Sequence, residues 1–293
     1  MKDAARLLAY FAATILFGAL AAPILFWAAQ SLAGHGIFPA LAKFEFESFF
    51  HRALMLGAIV FLWPLLRWLR IEGRRDLGLD ANPRWLRDVV IGFLLSSLPV
   101  VLCEIFLVQR GLYAMRNGFS WVATLPLIGT AIIVPLIEES LFRGLFLGVL
   151  RRGLRPWPAN LLSAAIFSIV HFLKASDQTT TTVRWFSGFV SLSHSFDQFS
   201  EPMLVLGGFT TLFVIGIVLA HARLSTRSLW LPIGLHAGWI LASEAFGKMA
   251  RREIVALPWI GKNLLVGLVP LAICLLTWVL LRRWLRYADA RDT

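Results

Sequence analysis

The chain has 293 residues, 58% of them hydrophobic and 15% charged, and its net charge is +11. Ordinary soluble domains carry roughly 25% charged residues, so this composition excludes a soluble fold with a polar body, disorder, collagen-like repeats and a disulfide-framed secreted domain. What remains is a protein that crosses the bilayer several times, and the basic excess reads as loop arginine and lysine on the cytoplasmic side rather than a nucleic-acid footprint.

A helix needs about 20 apolar residues to span the hydrocarbon. Apolar runs occur at 7–29, 53–66, 89–108, 121–150, 156–173, 203–222, 228–246 and 264–281. The first has signal-peptide features, with Lys2 and Arg6 ahead of an apolar core and Ala19-Leu20-Ala21 after it, but it stays apolar through Ala29 and reads as a retained span. The second is short, and Phe49, Phe50, Trp68 and Leu69 extend it. Residues 70–88 lead into the third run as an interfacial segment anchored by Trp85, and 175–200 form a polar loop or a re-entrant element. Cys103 and Cys274 lie inside apolar runs and read as packing residues. The expected fold is all-α, a single integral membrane domain over 1–293 with about eight transmembrane helices, whose distinctive motifs fall within 121–246.

Basic residues alternate between loops. Seventeen fall on the side that holds Lys2, Arg74, Arg151, Arg227 and Arg283, and ten on the other. This bias places both termini in the cytoplasm, and the Ala-, Leu-, Arg- and Trp-rich composition suits a bacterial inner membrane.

Ionisable groups inside a bilayer cost roughly 2.5–3.5 kcal/mol each on insertion scales, so they mark sites. The fourth run holds the densest group, Glu138-Glu139-Ser140-Leu141-Phe142-Arg143. Glu139 and Arg143 are four apart with the acid first, the favourable order for a pair on one helix face. Glu138 sits about 100° around the helix from Glu139, off that face. Pro135 interrupts the ladder one turn upstream, and Gly144 and Gly148 offer a face for close helix contact. The fifth run carries Phe167 and His171 one turn apart, and the seventh carries His236 between Gly234 and Gly238. By helical rise Glu138, His171 and His236 lie about 20, 24 and 14 Å from their basic flanks, all in the middle of the bilayer. They are candidates to meet in one wet pocket. Glu104 and Glu244 lie near span ends, where the cost of a charge is evaded.

Glu138-Glu139-x-x-x-Arg143, Phe167-x-x-x-His171, and His236 after Ser228-Leu229-Trp230-Leu231-Pro232-Ile233 resemble the motifs of the CPBP (ABI) family of CAAX proteases and bacteriocin-processing proteins. The resemblance covers 138–240. It implies a glutamic-type intramembrane endopeptidase whose helices surround a central cavity. In that reading Glu138 is the general base on a water, helped by His171, and Glu139 with Arg143 is an orienting pair. His236 stabilises the oxyanion, and Phe167 supports the site. No cofactor or metal is required, and the implied partners are the lipid bilayer and a membrane-associated or lipidated peptide. One position departs. The family has Asn or Asp four residues after its last histidine, and this chain has Ile240, with Ser243 one turn further on. Losing an oxyanion donor costs about 10²–10³ in rate.

Other readings compete. Glu138, His171 and His236 are potential zinc ligands, although no His-Glu-x-x-His sequence occurs. A binding or immunity protein without turnover is supported by Ile240. A proton-coupled transporter would use Glu138 and Glu244, and it predicts repeated halves that the sequence does not show.

Overall fold

The computed structural model describes residues 2–80, 82–117, 121–172, 182–196, 202–254, 258–261, 264 and 266–292. The helices are α1 (Lys2–Gly34), α2 (Phe46–Trp68), α3 (Arg74–Leu77), α4 (Trp85–Gln109), α5 (Leu125–Glu139), α6 (Leu147–Arg151), α7 (Pro156–Phe172), α8 (Ser187–His194), α9 (Pro202–Thr226), α10 (Trp230–Met249) and α11 (Leu268–Asp292). Each predicted apolar run overlaps a helix, and the short second run lies within a 23-residue helix.

Among the described residues six helices are long and apolar enough to cross a membrane: Ala5–Gly34, Phe46–Trp68, Trp85–Gln109, Leu125–Arg151, Val205–Thr226 and Leu268–Ala288. The other two runs are helical but fall short of that standard. Helix α7 has only 17 residues, and α10 is diluted by His236, Ser243, Glu244 and Lys248. The chain is an all-α, polytopic integral membrane protein.

Two compact units divide the chain, the first formed by 1–72 with 169–202 and the second by 73–168 with 203–293. In the first, α1 and α2 form an antiparallel hairpin. Gly18 admits Leu54, Gly57 admits Phe17, and the Tyr10 hydroxyl donates to the Ala58 carbonyl at 3.0 Å. The core is Ala19, Ala22, Phe46, Phe50 and Ala53, and α8 lays Gly188 against the Ala19 backbone. Of the polar stretch, 182–196 is described and carries helix α8; 175–181 and 197–200 lie outside the described residues.

In the second unit α4 and α10 run side by side in the same direction. A methyl at Gly234 would collide with the Val89 backbone, one at Gly238 with Ser96 and Phe93, and one at Gly92 with the Leu231 carbonyl. Small residues on both helices therefore let the backbones close, as lipid-embedded helices prefer. Beyond the helix ends β1 (Tyr113–Met115) pairs antiparallel with β2 (Ala250–Arg252). Three residues per strand leave no alternation long enough to read from sequence. Trp85, the expected anchor, starts α4 and packs on Trp230 with ring centroids 5.4 Å apart.

Candidate active site

The acidic pair sits where one helix changes its winding. Helix α5 ends at Glu139, and Ser140–Phe146 forms a wider π turn before α6 resumes. The Leu147 N–H reaches the Phe142 carbonyl, a step of five residues. Such turns are rare and recur at functional sites. The Phe142 carbonyl also accepts from the Ser163 hydroxyl of α7 at 3.4 Å. The two glycines after Arg143 differ: Gly144 lies close to the Leu77 backbone, whereas a methyl at Gly148 would meet nothing within 4 Å.

Glu139 and Arg143 form the pair that their spacing predicts. Arg143 Nη1 donates to Glu139 Oε1 at 3.0 Å, and both side chains are fully buried. The guanidinium also donates through Nη2 to the Gly216 carbonyl of α9 at 3.4 Å, and it lies 4.2 Å from the centre of the Phe167 ring. Phe167 in turn meets the His236 ring edge-on, with centroids 6.1 Å apart. It thus fills the angle between a buried cation and an imidazole.

His236 is held by the same carboxylate. Its Nδ1 lies 2.8 Å from Glu139 Oε1, and its Nε2 lies 3.9 Å from Glu138 Oε2. A carboxylate only accepts, so the proton of that short bond resides on Nδ1. The ring is oriented by Glu139 and presents its other nitrogen toward Glu138. The Glu138 side chain keeps 27% exposure where Glu139 keeps none. The adjacent acids thus have separate settings, one sealed and doubly hydrogen-bonded, the other partly accessible.

This geometry adds to the sequence reading at one point. Spacing leaves Glu139 satisfied by Arg143 alone, yet Glu139 also binds His236, 97 residues away in sequence. No local signal encodes that contact. His171 lies half-buried, one turn after Phe167 near the end of α7, and is counted with the first unit. Ile240 is partly buried on α10, and the Ser243 hydroxyl donates back to the Trp239 carbonyl at 2.7 Å. Glu244 is exposed, and Glu104 is buried in α4. Among the described residues no group of three or more His, Cys, Asp and Glu is placed to hold a metal ion.

Residues 119–242, about two-fifths of the chain, match a family model described as Rce1-like, type II CAAX prenyl endopeptidase Rce1-like. All three motifs fall inside 119–242, so the matched segment contains every residue of the cluster around Glu139. No curated protein and no solved structure matches the chain.

Proposed function

We propose that the protein is a glutamic-type intramembrane endopeptidase acting on lipidated, membrane-associated peptides. The observation that carries this reading is the relay Arg143–Glu139–His236, which directs an imidazole nitrogen to within 3.9 Å of Glu138. One water can hydrogen-bond both groups at that separation. Glu138 takes a proton from the water as its oxygen attacks the peptide carbonyl. The carbonyl electrons move onto oxygen, and His236 Nε2–H donates to the oxyanion. Collapse of the adduct breaks the C–N bond, and Glu138 returns its proton to the leaving nitrogen.

To donate to an oxyanion while bonded to Glu139, His236 must carry both ring protons. Two carboxylates, one guanidinium and one imidazolium then sum to zero charge, the balance that a low-dielectric site demands. Arg143 and Glu139 are positioning residues in this scheme, and Phe167 supports the ring. A CAAX substrate is a C-terminal sequence whose cysteine carries a prenyl chain. Such a peptide brings its own membrane anchor to a site within the bilayer.

The deciding experiment compares membrane peptides from cells expressing the native protein or Glu138→Gln, together with cleavage of a farnesylated reporter by each purified form. We expect cleavage to disappear in Glu138→Gln while folded yield is retained. Undiminished cleavage would refute Glu138 as the base. A second reading, binding without turnover, is favoured by Ile240 and by the Ser243 hydroxyl being engaged with the Trp239 carbonyl. It predicts reporter binding with no cleavage by the native protein.

A further inference from the structure

A cavity of about 370 Å³ lies in the second unit, where the end of α9 meets α6 and the start of α7. Four arginines line it: Arg143, Arg151, Arg223 and Arg227. No acidic side chain is among the lining residues. Acids outside the lining act on two of these arginines: Glu139, bonded to Arg143 and His236, and Glu138 act on Arg143, and Asp80, 3.6 Å from Arg75, acts on Arg223.

A plain explanation is available for part of this. Basic residues favour cytoplasmic helix ends and the negative pole of the helix dipole, and Arg151 donates to the Leu154 carbonyl. It does not cover the rest. Arg143 is 1% exposed, and its Nε has no hydrogen-bond partner among the described residues although it lines the cavity. The Nε of Arg223 is likewise buried without a partner among those residues. Two residues that line one cavity thus each carry a buried guanidinium N–H without an acceptor among the described residues.

The backbone is shaped to deliver these side chains. Gly78, with φ of 77°, lies where any side-chain carbon would strike the Arg223 guanidinium. Arg227 follows α9 with φ of 54°, in the left-handed region that favours glycine, yet carries a side chain into the cavity. Gly148 forms part of the wall and leaves the space open. The first residue of α7, Pro156, is also on the wall, so the positive end of a 17-residue helix adds to the field.

The number of donors selects the ligand. One bidentate arginine satisfies a carboxylate, whereas a phosphate ester offers three acceptor oxygens and up to two negative charges. The surroundings select its source. Leu154 and Trp157 flank Pro156 in sequence and are 39% and 52% exposed. Exposed tryptophan beside arginine is the pattern of the headgroup layer. We propose that this arginine-lined cavity binds the phosphate of a membrane-lipid headgroup.

The test uses the full chain in alkyl maltoside micelles, which carry no phosphate, titrated with phosphatidic acid or with inorganic phosphate. Melting temperature and lipid retention by native mass spectrometry are the readouts. Phosphatidic acid should raise Tm and remain bound. The triple variant Arg151→Gln, Arg223→Gln, Arg227→Gln should shift the titration midpoint upward by at least about tenfold. Gly148→Phe fills the cavity without removing charge and should do the same, which decides the matter if the triple variant does not fold. Arg152→Gln, an exposed neighbour outside the cavity, should leave the midpoint unchanged. An unchanged midpoint in Gly148→Phe, or an equal loss in Arg152→Gln, overturns the site in favour of diffuse surface charge. Inorganic phosphate that binds as tightly as phosphatidic acid overturns the lipid as its source.

Discussion

Glu138 and Glu139 are neighbours in sequence with opposite surroundings, and the contrast sets what each substitution does. Glu139 holds both Arg143 and His236 through one oxygen. Removing its charge strands a buried guanidinium, a change that costs about 3–5 kcal/mol where such pairs have been broken. Glu139→Gln should therefore lower folded yield and melting temperature more than Glu138→Gln does, as read by thermal unfolding in detergent; equal stability of the two variants would contradict the relay. Ile240 tests the other side of the site. If an oxyanion donor is missing, Ile240→Asn should raise kcat for reporter cleavage by at least about tenfold, and an unchanged kcat would show that another group already serves. The i, i+4 spacing made the Glu139–Arg143 pair legible in sequence. The tie from Glu139 to His236 was not, because it spans 97 residues and depends on how α10 meets α5.

The first four apolar runs, the sixth and the eighth correspond to long helices; run length carries that information except for the second, which reaches spanning length only with its flanks. Two finer features had no such signal. The π turn at Ser140–Phe146 shifts the register of everything after Glu139, and Gly144 inside it reads from sequence only as a face for close packing. The β1–β2 pairing is too short to produce alternation. The glycines beside His236 were legible as a close-packing face, and the α4–α10 seam is where they are used. Gly234→Val would drive side-chain carbons into the Val89 backbone, and overpacking of this kind costs about 1–3 kcal/mol. We expect a lower Tm for this variant and a normal one for Gly247→Val on the same helix, where added atoms meet nothing within 4 Å. Equal tolerance of both would remove the seam from the argument.

For the whole molecule, charge carries the orientation. Lys2 and Arg6 precede the first helix, and Arg282, Arg283 and Arg286 lie toward the end of the last. Both ends are therefore expected on the cytoplasmic side. Tags at each terminus should resist protease in intact cells and be cut after lysis; a tag cut from outside would reverse the assignment. The family match stops at 242, so α11 and the first helical hairpin lie outside it.

The α4–α10 seam has a repeat of its own. Gly234 and Gly238 are four residues apart, as are Gly92 and the small Ser96 opposite them. Bumps and hollows that recur every four residues permit sliding only in whole notches of about 6 Å. Small axial drift of α10 is thus blocked, and the imidazole between Gly234 and Gly238 keeps a fixed depth against α4.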